Sequence, residues 1–163
     1  MTQNNDDQPS YVLDDVDRGV LHALQRDARH TTAGEIADEV DVSASTVRNR
    51  IANLEDGGVI EGYHPQIDYE NAGFQLRTLF VATVPAQIRD ELAVEALSVP
   101  GVIDVREMLT SQRNLYIEGV ATSTRDLAKM TNKLTDLGLE LLSSEIVANH
   151  YSQPFGELEL ESR

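Results

Sequence analysis

Residues 31–61 read TTAGEIADEVDVSASTVRNRIANLEDGGVIE, and this stretch holds two helix starts separated by a tight turn. Thr32 followed by Glu35 is a capping box, in which each side chain satisfies a backbone N–H at the other's position. Ile36, Ala37 and Val40 then share one face. Asp41-Val42 supplies the turn, with Val42 as a buried plug. Ser43 is a good N-cap for the next helix, where Val47, Ile51 and Leu54 fall at i, i+4 and i+7. At about 100° per residue, Ser45, Arg48, Asn49 and Ala52 lie broadly opposite that stripe. Short polar groups at the start of a helix, with Arg and Asn behind them, suit entry into the major groove of DNA. The stretch therefore predicts a helix-turn-helix. A solvated outer face on an ordinary helical hairpin gives the same pattern, and at this point both readings stand.

Upstream, residues 14–28 predict another helix. Asp14 caps it, Asp17 suits its first turn, and Val16, Val20, Leu21 and Leu24 make its stripe. Three short helices in this order predict a small trihelical, winged-type DNA-binding domain over residues 13–62. Gly57-Gly58 ends the third helix, Val59-Ile60 packs back, and residues 62–67 look extended, with Pro65 marking an edge or linker. Asn71-Ala72-Gly73 signals a turn, so the linker is set at 63–73.

The rhythm then changes. QLRTLFVATV (75–84) reads as a strand, 86–98 as a helix with Ile88, Leu92 and Ala96 in line, and VIDVREML (102–109) as a second strand. Residues 110–113 make a hairpin loop into a third strand, NLYIEGVA. Thr122 or Ser123 caps a second helix with Leu127, Met130, Leu134 and Leu137 aligned. Gly138 ends it, and residues 139–150 read as a fourth strand. The order βαββαβ predicts a ferredoxin-like module over 74–151, giving an α+β chain overall. Strand one shows apolar residues on both faces: Leu76, Thr78, Phe80, Ala82 and Val84 on one, Leu79, Val81 and Thr83 beside Arg77 on the other. A sheet with helices on one side only should be polar on its free face. A homodimer packed sheet to sheet is the economical expectation. Residues 152–163 read as an acidic tail or an added edge strand.

The chain has 163 residues, 40% of them hydrophobic, enough for real cores in one or two domains. No segment approaches the roughly 18 apolar residues of a membrane span. Residues 1–12 open polar and acidic, unlike a targeting peptide, and read as a disordered lead-in. Without cysteine there are no disulfides, thiol nucleophiles or cysteine metal sites, and a cytoplasmic location is the simplest expectation. His22, His30, His64 and His150 are scattered without metal-ligand spacing, and no phosphate loop or nucleophile elbow occurs. No cofactor and no metal are expected. The formal net charge of −15 is unusual for a DNA reader, since phosphate neutralisation supplies most non-specific affinity. Only Lys129 and Lys133 are Lys among 13 basic residues. Abundant acids with scarce Lys fit a salt-rich cytoplasm such as that of a halophilic archaeon, where charge is screened within about 3 Å.

The runs LDDVDRGVLHALQRDAR and EIADEVDVSASTVRNRIANLEDGGVIEGY, followed by Gly101-Val102-Ile103 before the second strand, resemble the leucine-responsive/asparagine-regulator (Lrp/AsnC) family of transcription factors over residues 13–150. The ending L-E-x-x-G-V-I-x-G-Y is the most specific part. The resemblance implies double-stranded DNA as partner and a second module that builds a dimer. Dimers of such proteins join into tetramers or octamers, and a small effector, often an amino acid, binds between modules. By match to the family's reading helix, Ser43, Ser45, Thr46, Arg48, Asn49 and Arg50 are the DNA candidates. Ser43 would meet phosphate and Arg48 and Asn49 would read guanine and adenine, while Arg50 would make either a phosphate contact or an internal ion pair. The family's hairpin between strands two and three often carries Gly-Asp-Tyr-Asp. Here Ser111, Gln112, Arg113 and Asn114 stand instead, as effector candidates or as a solvated hairpin tip. Two other readings stay open. Sirohaem decarboxylases resemble the same architecture, but their His-Asn-Tyr-x-Arg stretch is replaced here by Val102-Ile103-Asp104-Val105-Arg106. A ligand sensor that has lost DNA binding is the other.

Overall fold

A computed structural model describes residues 11–109 and 112–156, and the chain divides into two compact units at Pro65/Gln66. In the first unit, helix α1 spans Asp15–Asp27, α2 Ala33–Val40 and α3 Ala44–Asp56. Each begins where the sequence places a cap. Asp14 and Asp17 exchange side-chain-to-backbone hydrogen bonds, as do Thr32 and Glu35, so α1 and α2 both start in complete capping boxes. Ser43 accepts from the Thr46 N–H at the start of α3. Between α2 and α3 the backbone turns through Asp41 in the left-handed region (φ 54°), which a short polar side chain tolerates. Gly58 (φ 69°) ends α3, a conformation that disfavours residues with a Cβ.

The core of this unit is small: Val20, Ala23, Ile36, Ala37, Val40, Val47 and Leu54, with Leu13, Val16, Val42, Ile51 and Ile60 packed around it. Burying a Leu, Ile or Val side chain is worth about 1.5–3 kcal/mol, so these few side chains supply most of what holds the three helices together. Val42 is half-buried, a partial plug. Residues 152–156 group with this unit, and the Phe155 N–H donates to Gln25 Oε1 of α1 (3.0 Å).

The second unit runs β1 (Leu76–Thr83), a 3-10 turn (Ala86–Ile88), α4 (Arg89–Leu97), β2 (Val102–Glu107), β3 (Leu115–Ala121), α5 (Thr124–Asp136) and β4 (Glu140–Ile146). The strands form one antiparallel sheet in the order β2-β3-β1-β4, the ferredoxin-like arrangement. Phe80 and Ala82 of β1, Val84 just after it, and Leu115, Ile117 and Ala121 of β3 meet Leu92, Ala93 and Ala96 of α4 and Met130 and Leu134 of α5 on one side of the sheet. The turn at 68–73, where Asp68 caps the Asn71 N–H (2.9 Å), falls inside this unit rather than at its border.

Two expectations need correction. Ile88 does not lead the α4 stripe: after Pro85 the chain makes a 3-10 turn, and Ile88 is exposed while Ala93 takes the inward position. The face of the sheet away from the helices is mixed rather than uniformly apolar. Register places Leu79, Val81, Tyr116 and Val120 there, but also Arg77, Glu118, Asp104 and Arg106. Both arginines bond the buried Glu118, and Arg106 also pairs with Asp104 (2.7 Å). In β4, Leu142 and Ile146 are exposed, and the strand ends before Val147.

Candidate nucleic-acid interface

Helix α3 differs from its neighbours in what it leaves open. The first turns of α1 and α2 carry acids, Asp15 and Asp17 in one and Glu35 in the other, which occupy the positive ends of those helices. The first turn of α3 carries none. Instead the Ser43 hydroxyl lies 2.8 Å from the hydroxyls of both Ser45 and Thr46, while also capping the Thr46 N–H. Three short hydroxyls at a helix N-terminus with no competing carboxylate suit an anion such as a phosphate.

Behind them, Ser45, Arg48, Asn49 and Ala52 are exposed, while Val47 and Leu54 are buried against the core. Neither Arg48 nor Asn49 enters a hydrogen bond or ion pair with another described residue. Their donors and acceptors are available to base edges, where Arg matches guanine and Asn matches adenine.

Arg50 is placed otherwise. It shares the inner side of α3 with Val47 and Leu54, and its guanidinium lies 2.8 Å from Asp14 and 3.4 Å from Asp17. Of its two readings, the structure forms the internal ion pair. Burial works against the charge on Arg50, but Asp14 and then Asp17 outweigh it, so its pKa lies above the ordinary value. Asp14 is held below the usual carboxylate range, chiefly by the Asp17 N–H and also by Arg50. In the sequence Asp17 reads only as an acid suited to the first turn of α1; in the fold it is buried, at 1% exposure. At the far end of α3, the Tyr63 hydroxyl donates to Glu55 (2.8 Å), and burial together with this bond pushes its pKa up to about 12.

The hairpin candidates separate. Asn114 is buried, its amide accepting from the Val84 N–H (3.0 Å) and donating to the Val84 carbonyl (2.8 Å). Its own N–H bonds the Ala82 carbonyl and its carbonyl accepts from Met108. Asn114 is thus a brace between the hairpin and β1, and its amide is spent; the expectation that it contacts an effector is withdrawn. Gln112 and Arg113 are exposed, with the Gln112 carbonyl accepting from Thr83 (2.6 Å). Ser111 lies outside the described residues. Arg89 anchors the same corner through Glu107 (3.2 Å) and the Met108 carbonyl (3.3 Å). Among the described residues no group of His, Asp and Glu could hold a metal ion, and no helix is long and apolar enough to cross a membrane.

Residues 13–61 match the family model for a winged helix-turn-helix DNA-binding domain. An uncharacterised HTH-type transcriptional regulator of Pyrococcus abyssi is 38% identical over 68 residues, 42% of this chain and 46% of that protein. The chain thus spans about half the length of the first curated relatives it matches. The HTH-type transcriptional regulator AldR of Mycolicibacterium smegmatis is 30% identical over 120 residues, covering 72% of this chain and 69% of AldR. The leucine response regulatory protein LrpA of Mycobacterium tuberculosis has the same fold, at TM-score 0.73 and 24% identity, over 88% of this chain and 97% of that structure. So does a transcriptional regulator of Neisseria meningitidis solved as its L-Met complex, at TM-score 0.73 and 20% identity, over 92% of this chain and 97% of that one. With its capped trihelical reader and its βαββαβ module, the chain belongs to the Lrp/AsnC family of helix-turn-helix transcriptional regulators.

Proposed function

We propose that this chain is a sequence-specific DNA-binding transcriptional regulator that recognises a near-palindromic promoter site as a dimer. The observation that carries the reading is the outer face of α3: exposed Arg48 and Asn49 without partners among the described residues, behind a cluster of three hydroxyls at an acid-free helix start. Ser43, Ser45 and Thr46 would meet phosphate, and Arg48 and Asn49 would read bases. The dimer reading draws support from the helix-free face of the sheet. Arg77, Arg106, Asp104 and Glu118 form one ion-pair network there, and register adds the exposed Glu145 of β4 beside Leu79. Leu79, Val81, Tyr116 and Val120 flank them. Assembly of dimers into tetramers or octamers is part of the same proposal.

A small effector, an amino acid in the nearest chemical analogy to the L-Met-bound Neisseria relative, would meet the hairpin through Gln112 and Arg113. A cytoplasmic, salt-rich setting accounts for the acidic surface around the reading helix. The relatives' names as transcriptional regulators fit a protein that is not an enzyme, and Arg106, in the strand where the decarboxylases carry their signature, is engaged by Asp104 and Glu118.

The test is an electrophoretic mobility shift with the full chain, using the duplex from its own promoter and one selected from a random library, at low and at high potassium chloride. Retarded specific duplex that a scrambled duplex does not compete supports the reading. Equal competition by both duplexes at every salt concentration would overturn it.

A further inference from the structure

The segment leading into α1, together with the first turn of that helix, reaches α3 at two places. Asp14 and Asp17 hold the Arg50 guanidinium at 2.8 and 3.4 Å. The Tyr11 ring lies over the C-terminal end of α3, where a Cβ added at Gly57 would come within 2.7 Å of Tyr11 Cδ2. Gly57 therefore admits an aromatic ring against the last turn of the reading helix, and Arg50 is bound from the same segment two turns earlier. Asp17 is 1% exposed and Arg50's side chain about a third exposed. Swinging Arg50 out to a phosphate would strand a buried carboxylate without its cation, which is strongly unfavourable.

We propose that residues 11–17 form a clamp on the reading helix, and that Arg50 is a positioning residue gripped by Asp14 and Asp17 rather than a contact to DNA. The clamp fixes the roll and pitch of α3 against α1, so that Arg48 and Asn49 reach base edges in register. This rests on the DNA-binding reading above and adds to it an assignment of roles: Arg48 and Asn49 outward for sequence, Arg50 inward for aim. The clamp also gives a role to two acids placed beside the reading helix, with Arg50 offsetting one of their two charges.

Salt dependence separates the alternatives. A cation that neutralises one phosphate contributes about 0.9 to the slope of log affinity against log salt, and a positioning cation contributes nothing. Full-length wild type, Arg50→Gln and Asp14→Asn are titrated with the library-selected duplex and with a scrambled duplex across potassium chloride. Temperatures stay well below each melting point, and Arg48→Ala serves as control. The clamp predicts an unchanged slope for Arg50→Gln, with its preference for the selected duplex reduced at least about tenfold out of the usual 10³–10⁷. Asp14→Asn, which keeps an oxygen for the cap but loses the charge, should move the preference the same way by less. A slope shallower by about 1 in Arg50→Gln would overturn the proposal. So would tighter binding with a steeper slope in Asp14→Asn, since release from the acid would free Arg50 for phosphate. An unchanged preference in folded Arg50→Gln, meaning a role in stability alone, also overturns it. If Arg50→Gln does not fold, Asp14→Asn decides by the same criteria. Absence of any preference in wild type would instead sink the DNA-binding reading itself.

Discussion

Helix α3 and the β2–β3 hairpin both stand out in the sequence by polar residues at exposed-looking positions, yet they treat those residues in opposite ways. On α3, Arg48 and Asn49 stand exposed on the outer face, and their side chains make no hydrogen bond or ion pair with another described residue. At the hairpin, Asn114 lies beside Val84, just past the end of β1, and its amide satisfies both polar groups of Val84. One asparagine is available because the local structure does not need it; the other is consumed because the structure does. The type of residue says little until the satisfaction of nearby backbone groups is known.

The largest effect should come from breaking that second use. Asn114→Ala leaves the Val84 N–H and carbonyl unpaired at a buried site, and a loss of about 3 kcal/mol in unfolding free energy is expected. Urea denaturation would read it. A loss below about 0.5 kcal/mol would mean that Asn114 is a surface residue after all, and would restore it as an effector candidate.

Next, Gly119→Ala tests how tightly the second core is packed. Its new Cβ would come within 2.4 Å of the Met130 sulfur, and Met130 is itself buried against α5's side of the sheet. A cost of about 1–3 kcal/mol follows, softened by methionine's flexibility. Thermal unfolding with no change in melting temperature would contradict it.

A smaller effect is expected at Thr32, whose removal takes out half of a capping box: Thr32→Ala should lose about 1 kcal/mol, confined to the first unit. Hydrogen exchange would show faster opening in α2 with the sheet unchanged. Uniform acceleration through both units would mean that the two unfold as one.

The smallest effect is in the pH dependence. Asp126 accepts from Ser123, Lys129 and Thr122, which hold its pKa at about 2, against 3.8 ordinarily. In the first unit, Glu35 is lowered by the Thr32 N–H and hydroxyl. A carboxyl depressed on folding lends stability that is present above its unfolded value and lost as pH falls through its folded one. Stability should therefore decline between about pH 4 and pH 2, and Asp126→Asn should decline less than wild type over that window. Parallel curves would remove Asp126 from the account.

Much of this was legible because helices announce their starts. The cap at Asp14, the box at Thr32/Glu35 and the cap at Ser43 set three helix boundaries, and periodicity set the faces of α3 and α5. What stayed hidden were residues with two uses. Asp17 reads as a first-turn acid, and only the tertiary approach of Arg50 reveals it as half of a buried pair. Asn114 reads as a turn residue because sequence does not show which backbone groups run short. Ile88 fits the α4 stripe on paper, but the 3-10 turn after Pro85 rotates it outward. The mixed face of the sheet followed the same logic: alternation located Arg77, whereas the burial of Glu118 between two arginines depends on pairing across three strands.

The most direct measurement is the base-by-base preference of full-length wild type and Arg48→Ala on the selected duplex and its single-base variants. If α3 reads sequence through its outer face, Arg48→Ala loses about 1–3 kcal/mol on the selected duplex and loses discrimination at one position per half-site, with other positions unchanged. Weakening by the same factor on every duplex, or no weakening at all, would contradict the claim that this helix is the reader.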